Sequence, residues 1–236
     1  METIVYLLLI AAVFYSMWAQ VNVNSTFQKY SKIKNISGMT GFDAARAILD
    51  KNGLYHVQIE KVAGNLTDHF DPKANVIRLS DSVYGVSTSA AVGVAAHEAG
   101  HAVQYATGYG PIKLRTAIVP VCNLGSRLAL PLILIGFLIG GYYTHSAGSS
   151  LGYSIAMLGV IAYGLAAFFQ FVTLPVEFNA SRRAMNALEE TGSMSGEELD
   201  DSEKVLRAAA LTYVAAFAVS LLQFLRLFLM VSRRRD

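Results

Sequence analysis

Two histidines four residues apart flank a carboxylate in the run His97-Glu98-Ala99-Gly100-His101. On a helix, positions i and i+4 share one face. His97 and His101 can therefore each aim an imidazole nitrogen at a single metal ion. Glu98 stands one position on, where its carboxylate can reach a water held beside that ion. These residue types at this spacing form the His-Glu-x-x-His pattern of zinc hydrolases. The neighbours Ala95, Ala96, Ala102 and Val103 are uncharged and apolar. Three polar side chains on so apolar a helix are costly unless a metal or polar partners satisfy them.

That helix is expected over about Ser87 to Thr107, ending before Gly108. Its alanines and glycines let other elements approach closely. Upstream, Thr40-Gly41-Phe42-Asp43 reads as a capping box that opens a helix, and Gly53 stops it. Tyr55, Val57 and Ile59 then alternate with His56, Gln58 and Glu60, which is a strand pattern. A second strand fits Thr67 to Phe70. Asp71-Pro72-Lys73-Ala74-Asn75 is turn chemistry, and Val76 to Leu79 is a third strand. A small sheet thus precedes the metal helix.

The rest of the chain is too apolar for a simple soluble domain. Of 236 residues, 53% are hydrophobic and 15% charged, against roughly 25% charged in ordinary soluble proteins. A formal net charge of +2 gives no reason to expect a nucleic-acid partner. The single cysteine, Cys122, excludes an internal disulfide. Ile4 to Ala19 is an uncharged apolar run. It starts with Glu2 rather than a basic residue and ends Tyr15-Ser16-Met17-Trp18-Ala19-Gln20, with an aromatic at the expected interface, so it reads as an uncleaved anchor rather than a signal peptide. Leu128 to Thr144 and Leu151 to Leu174 read as two spans joined by the short link Tyr142 to Ser150, with Pro120 and Pro131 breaking or kinking the approach. Ala208 to Val231 is a last apolar segment, in which Arg226 either snorkels or packs among the helices. The tail Arg233-Arg234-Arg235 suits lipid headgroups.

A catalytic zinc ion usually takes three protein ligands and leaves one position for water. The third must lie on the same membrane face as the two histidines, so an even number of spans must separate them. Two spans return the chain at about Leu174. The polar segment there runs from Pro175 to Arg183, and Glu177 is its only carboxylate before Glu189. Topology alone therefore selects Glu177, on a helix expected to start at Pro175. His69 is the rival donor, reading otherwise as a structural or exposed strand histidine. His56 and His145 carry no such argument.

His97-Glu98-Ala99-Gly100-His101, a membrane hairpin, and then Glu177-Phe178-Asn179-Ala180 resemble the neutral zinc metallopeptidases of the YugP type, over nearly the whole chain. The resemblance implies a bacterial membrane protein. A more distant likeness is to the HtpX-type heat-shock membrane proteases, which carry their third ligand in a Glu-x-x-x-Asp helix motif. Glu177 matches the ligand, but Ser181 stands where that group has its Asp. The Asp is expected to orient a metal-binding histidine, so another residue, Asp68 or Asp71, would have to hold the imidazole here.

The expected fold class is α+β: a multi-pass helical membrane protein with a small mixed zincin-like part. Its expected divisions are an anchor at 1–20, a zincin-like part with the sheet and metal helix at 21–115, a transmembrane hairpin at 116–174, a third-ligand helical segment at 175–207, and a transmembrane helix with basic tail at 208–236. One zinc ion per chain would be held by His97, His101 and Glu177, with Glu98 as general base in peptide-bond hydrolysis. Tyr213 could donate to the developing oxyanion, the alternative being an interfacial or core tyrosine; Arg207 is a weaker candidate. The third strand, Val76 to Leu79, could offer an edge for an extended polypeptide substrate. Two other readings remain: a site-2-type intramembrane protease, and a non-catalytic zinc-stabilised membrane scaffold. The first suffers from a metal helix too polar to face lipid and from the lack of a Leu-Asp-Gly triplet. The expected partners are a polypeptide substrate, which could be a membrane protein, and the lipid bilayer. Lys29, Lys32, Lys34, Lys113, Arg115, Arg182 and Arg183 all fall on the catalytic side, which the positive-inside rule puts in the cytoplasm.

Overall fold

The computed structural model describes residues 2–142 and 147–233. His145, the centre of the expected link between the middle spans, and Arg234 and Arg235 lie outside the described residues. The elements in order are α1 (Glu2–Tyr30), α2 (Gly41–Lys51), β1 (Gln58–Val62), β2 (His69–Asp71), β3 (Val76–Ser80), α3 (Ser89–Ala106), α4 (Gly110–Tyr142), α5 (Ala147–Thr191) and α6 (Gly196–Ser232). The protein is mostly helical, with one small sheet. Four of the helices, α1, α4, α5 and α6, are long and apolar enough to cross a membrane. α3 is not among them.

The chain divides into two compact units. One comprises residues 1–17, 114–173 and 213–236; the other comprises 18–113 and 174–212.

In the first unit, apolar side chains such as Leu7, Phe14, Leu138, Ile161 and Phe171 are exposed, as lipid-facing positions require. α4 and α5 approach closely where both lack side chains. A Cβ on Gly136 would stand 2.5 Å from the backbone nitrogen of Ala156, so this contact exists because position 136 is glycine. Arg226 makes contacts inside this unit: its Nη1 donates to Gln223 Oε1 at 3.2 Å, and its guanidinium lies 4.9 Å from the Tyr6 ring centroid. Tyr213 belongs to this unit too and is partly buried.

The second unit holds the sheet, α2 and α3. Thr40 caps α2 as its sequence indicates. Thr40 Oγ1 accepts from the Asp43 amide at 3.2 Å, and Asp43 Oδ2 accepts from the Thr40 amide at 3.0 Å. Gly53, with φ +70°, ends the element. The sheet order is β1-β3-β2, with β1 parallel and β2 antiparallel to β3. Asp71 Oδ1 accepts from the amides of Lys73 and Ala74, which closes the turn between β2 and β3.

Four expectations need correction. First, Val76 to Leu79 is no edge: β3 is the central strand, and β1 and β2 are the outer ones. Second, β1 starts at Gln58 rather than near Tyr55. Arg46 binds the carbonyls of Leu54 and Val57 at 3.0 and 2.9 Å, which holds those residues in a turn and leaves Tyr55 exposed. Third, Pro120 and Pro131 do not break their helix; α4 runs through both. Fourth, no helix starts at Pro175. α5 continues through it from Ala147 to Thr191, so Glu177 rides on the same helix as the preceding apolar run.

Candidate metal centre

α3 begins at a capped end, Thr88 Oγ1 accepting from the Ala91 amide at 3.3 Å. Ala90, Ala91, Ala95, Ala96, Ala99 and Ala102 are buried along it. Their small side chains let neighbours lie close. At Gly100 the limit is reached: a Cβ there would stand 2.6 Å from the Ala180 carbonyl oxygen of α5. This contact sets Glu177, less than one turn before Ala180, against the two histidines one turn apart on α3.

Glu177 Oε2 lies 3.2 Å from His97 Nε2 and 3.4 Å from His101 Nε2. The rings meet at 85° with centroids 4.7 Å apart. One donor atom from each of His97, His101 and Glu177 falls within 4.8 Å of the others. The three form the one such group found among the described residues. Glu177 is 3% exposed. Two imidazole nitrogens and a buried carboxylate oxygen at such distances fit a tetrahedral divalent ion with one position left over.

The outward nitrogens are also occupied. His97 Nδ1 lies 3.1 Å from Ser181 Oγ, and His101 Nδ1 lies 3.0 Å from Gln104 Oε1. The expectation that Asp68 or Asp71 holds an imidazole is therefore overturned. Asp68 accepts from the Ser80 amide at 2.7 Å and from the Ser80 hydroxyl at 2.9 Å. Asp71 serves the turn and Arg78. A serine at position 181 reaches the ring itself, so no carboxylate is needed there. Gln104 was missed by sequence reasoning, although its i+3 spacing from His101 places it on the same helix face.

Burial by itself pulls the His101 imidazole toward its neutral form. The hydrogen bond to Glu177, the charges of Glu98 and Glu177 and the bond to Gln104 outweigh this and hold it above its ordinary value in the metal-free site. Glu98 is 9% exposed. Its charge reaches Asp68, whose carboxyl is raised first by burial and further by Glu98, against the pull of the Ser80 hydrogen bonds. His69 does not join the group; it is exposed on β2, with Nδ1 2.9 Å from the Thr67 carbonyl.

Ser181 has a second face. With Phe178, Arg182, Met185, Leu206 and Leu211 it lines an open cavity of about 530 Å³ between α5 and α6. Arg207 lies on the same cavity and is paired to Glu203 at 2.7 Å.

Four helices long and apolar enough to cross a membrane, and a buried His, His, Glu group that could hold a metal ion, define the class as a membrane protein with a candidate metal centre, and comparison with known proteins narrows it. The family model described as "Putative neutral zinc metallopeptidase" matches residues 5–232, and the chain belongs to that family. It is 47% identical over 229 residues to "Putative membrane protease YugP" of Bacillus subtilis (strain 168), covering 97% of each chain. No solved structure matches it.

Proposed function

We propose that the protein is a membrane-bound zinc metalloendopeptidase with a zincin-like catalytic unit facing the cytoplasm. The observation that carries this reading is the convergence of His97, His101 and Glu177 within 4.8 Å, on helices that bring a second carboxylate, Glu98, beside them. His97, His101 and Glu177 would hold one zinc ion. Zinc, when bound, supplies a Lewis acid that polarises the scissile carbonyl and acidifies water.

The remaining chemistry belongs to the chain. Glu98 accepts a proton from the attacking water and delivers it to the leaving amine. Glu177 stays ionised as a ligand, and Ser181 and Gln104 keep the imidazoles turned inward. β2 is an outer strand whose Phe70 packs edge-on against Tyr105 of α3, with centroids 5.5 Å apart. That strand is the edge against which an extended polypeptide would lie. The cavity beside Ser181 suits apolar side chains of the same substrate.

The test is Glu98→Gln in the full chain. The variant should keep its zinc and lose roughly 10²- to 10⁴-fold in cleavage, so that uncut membrane substrates accumulate in a proteome comparison with the wild type. A variant with zinc and unchanged cellular function would leave only the scaffold reading. Orientation is tested separately with a cysteine at Ser149 in a Cys122→Ser background. Labelling by an impermeant reagent in intact cells supports a cytoplasmic catalytic unit; labelling only after lysis overturns it.

A further inference from the structure

Behind His101 runs a chain of side chains whose hydrogen-bonding polarity is fixed at its far end. Arg183 Nε donates to Asn179 Oδ1 at 2.8 Å. A guanidinium has no acceptor and cannot reverse that bond. Asn179 must therefore turn its oxygen, not its amide nitrogen, toward Arg183. The same oxygen accepts from Gln104 Nε2 at 3.0 Å. Gln104 Nε2 also donates to the Val176 carbonyl at 2.8 Å, another group that only accepts. Both hydrogens of the Gln104 amide are thus committed to α5. Its oxygen is left to face His101 Nδ1 at 3.0 Å. An amide oxygen can only accept, so Nδ1 must carry a proton.

We infer that Arg183 and Asn179 are positioning residues for the metal site: acting through Gln104, they fix His101 with its proton on Nδ1 and so turn the Nε2 lone pair toward the ion. His97 has no such device. Its Nδ1 meets the Ser181 hydroxyl, which can donate or accept and imposes no polarity. The two ligands are therefore held by different means, and only His101 is tied to a charge outside the site. Gln104 is fully buried, so reversing its amide would face oxygen against oxygen with no water to relieve it. The arrangement also joins α3 to α5 at the point where Glu177 must meet the imidazoles.

This inference rests on the metal reading above, and the experiment separates the two. Zinc affinity of the purified full chain is measured by competition with a chromogenic chelator for the wild type, Asn179→Leu, Asn179→Asp, Arg183→Met and His101→Ala. Thermal unfolding of each metal-free protein serves as the control for folding. Loss of such outer partners typically lowers metal affinity about 10- to 100-fold. Asn179→Leu should fall by roughly tenfold or more on that basis, a loss of affinity read separately from the lower metal-free stability expected when a buried Gln104 hydrogen is left without its acceptor. Asn179→Asp should recover most of the loss, because a carboxylate oxygen still accepts from both Arg183 and Gln104. Arg183→Met should weaken zinc binding in the same direction and decides the matter if Asn179→Leu does not fold. Wild-type affinity in both Asn179→Leu and Arg183→Met, or no recovery in Asn179→Asp, would overturn the inference while the metal site stands. Wild-type affinity in His101→Ala, or no zinc uptake by the wild type, would remove the metal reading and this inference with it.

Discussion

The carbonyl oxygen of Ala180 occupies the space a side chain on Gly100 would need, 2.6 Å from the Cβ that glycine lacks. Backbone carbonyl atoms cannot swing aside as a flexible side chain can. Gly100→Ala must push α3 away from α5, and with it the imidazoles away from Glu177. Overpacking of this kind costs about 1–3 kcal/mol. The variant should unfold at lower temperature and lose tightly bound zinc together. Normal zinc retention in Gly100→Ala would show that the helix contact does not set the site.

Asp68 gives the stability a pH dependence of definite sign. Its carboxyl is raised by burial and by Glu98, so between its ordinary value and the raised one the folded state holds more protons than the unfolded. Stability then falls as pH rises through that window, and the penalty persists above it. Asp68→Asn keeps an acceptor for the Ser80 amide and carries no charge. Melting curves from about pH 4 to pH 7 should show the variant gaining on the wild type as pH rises. A constant gap across that range would mean that burial does not govern this group.

Glu198 ties two loops to the start of α6. Its carboxylate accepts from the Ser195 amide at 2.7 Å and from the Ile36 amide at 2.6 Å, while Ser195 Oγ returns a bond to the Glu198 amide. This is a capping box with a second client. Glu198→Ala leaves these donors without an acceptor and should destabilise the full chain by about 1–3 kcal/mol, measured by thermal or denaturant unfolding. Glu198→Gln, whose single amide oxygen can accept from only one of the two amides, should lose less than the alanine variant. Equal losses would mean that one acceptor oxygen at this position stabilises nothing.

What could be read from the sequence was what depends on short spacing. The His97–His101 interval, the Thr40–Asp43 cap and the Asp71–Asn75 turn are all settled by residues within five positions of one another. Glu177 was reachable because a membrane permits only an even number of crossings between residues on one face. The misreadings share a different cause. Pro175, Pro120 and Pro131 suggest breaks, yet long apolar helices run through them, the helix ladder and neighbouring packing outweighing one lost bond each. β1 slips by three residues because Arg46, on α2, claims the carbonyls before it. Gln104 and Asn179 are ordinary helix residues until α3 and α5 are brought together, and no local pattern marks them. Ser181 read as a missing carboxylate because a sequence does not show that a hydroxyl at that distance already satisfies the ring.

The central claim is that Glu177 completes a metal site begun by His97 and His101. Elemental analysis of the full chain and of Glu177→Ala, after dialysis against a weak chelator, tests it most directly. The account predicts about one zinc per wild-type chain and a small fraction of that in the variant, since a zinc site normally needs its third protein ligand. A variant that retains zinc at the wild-type level through the same dialysis would contradict it.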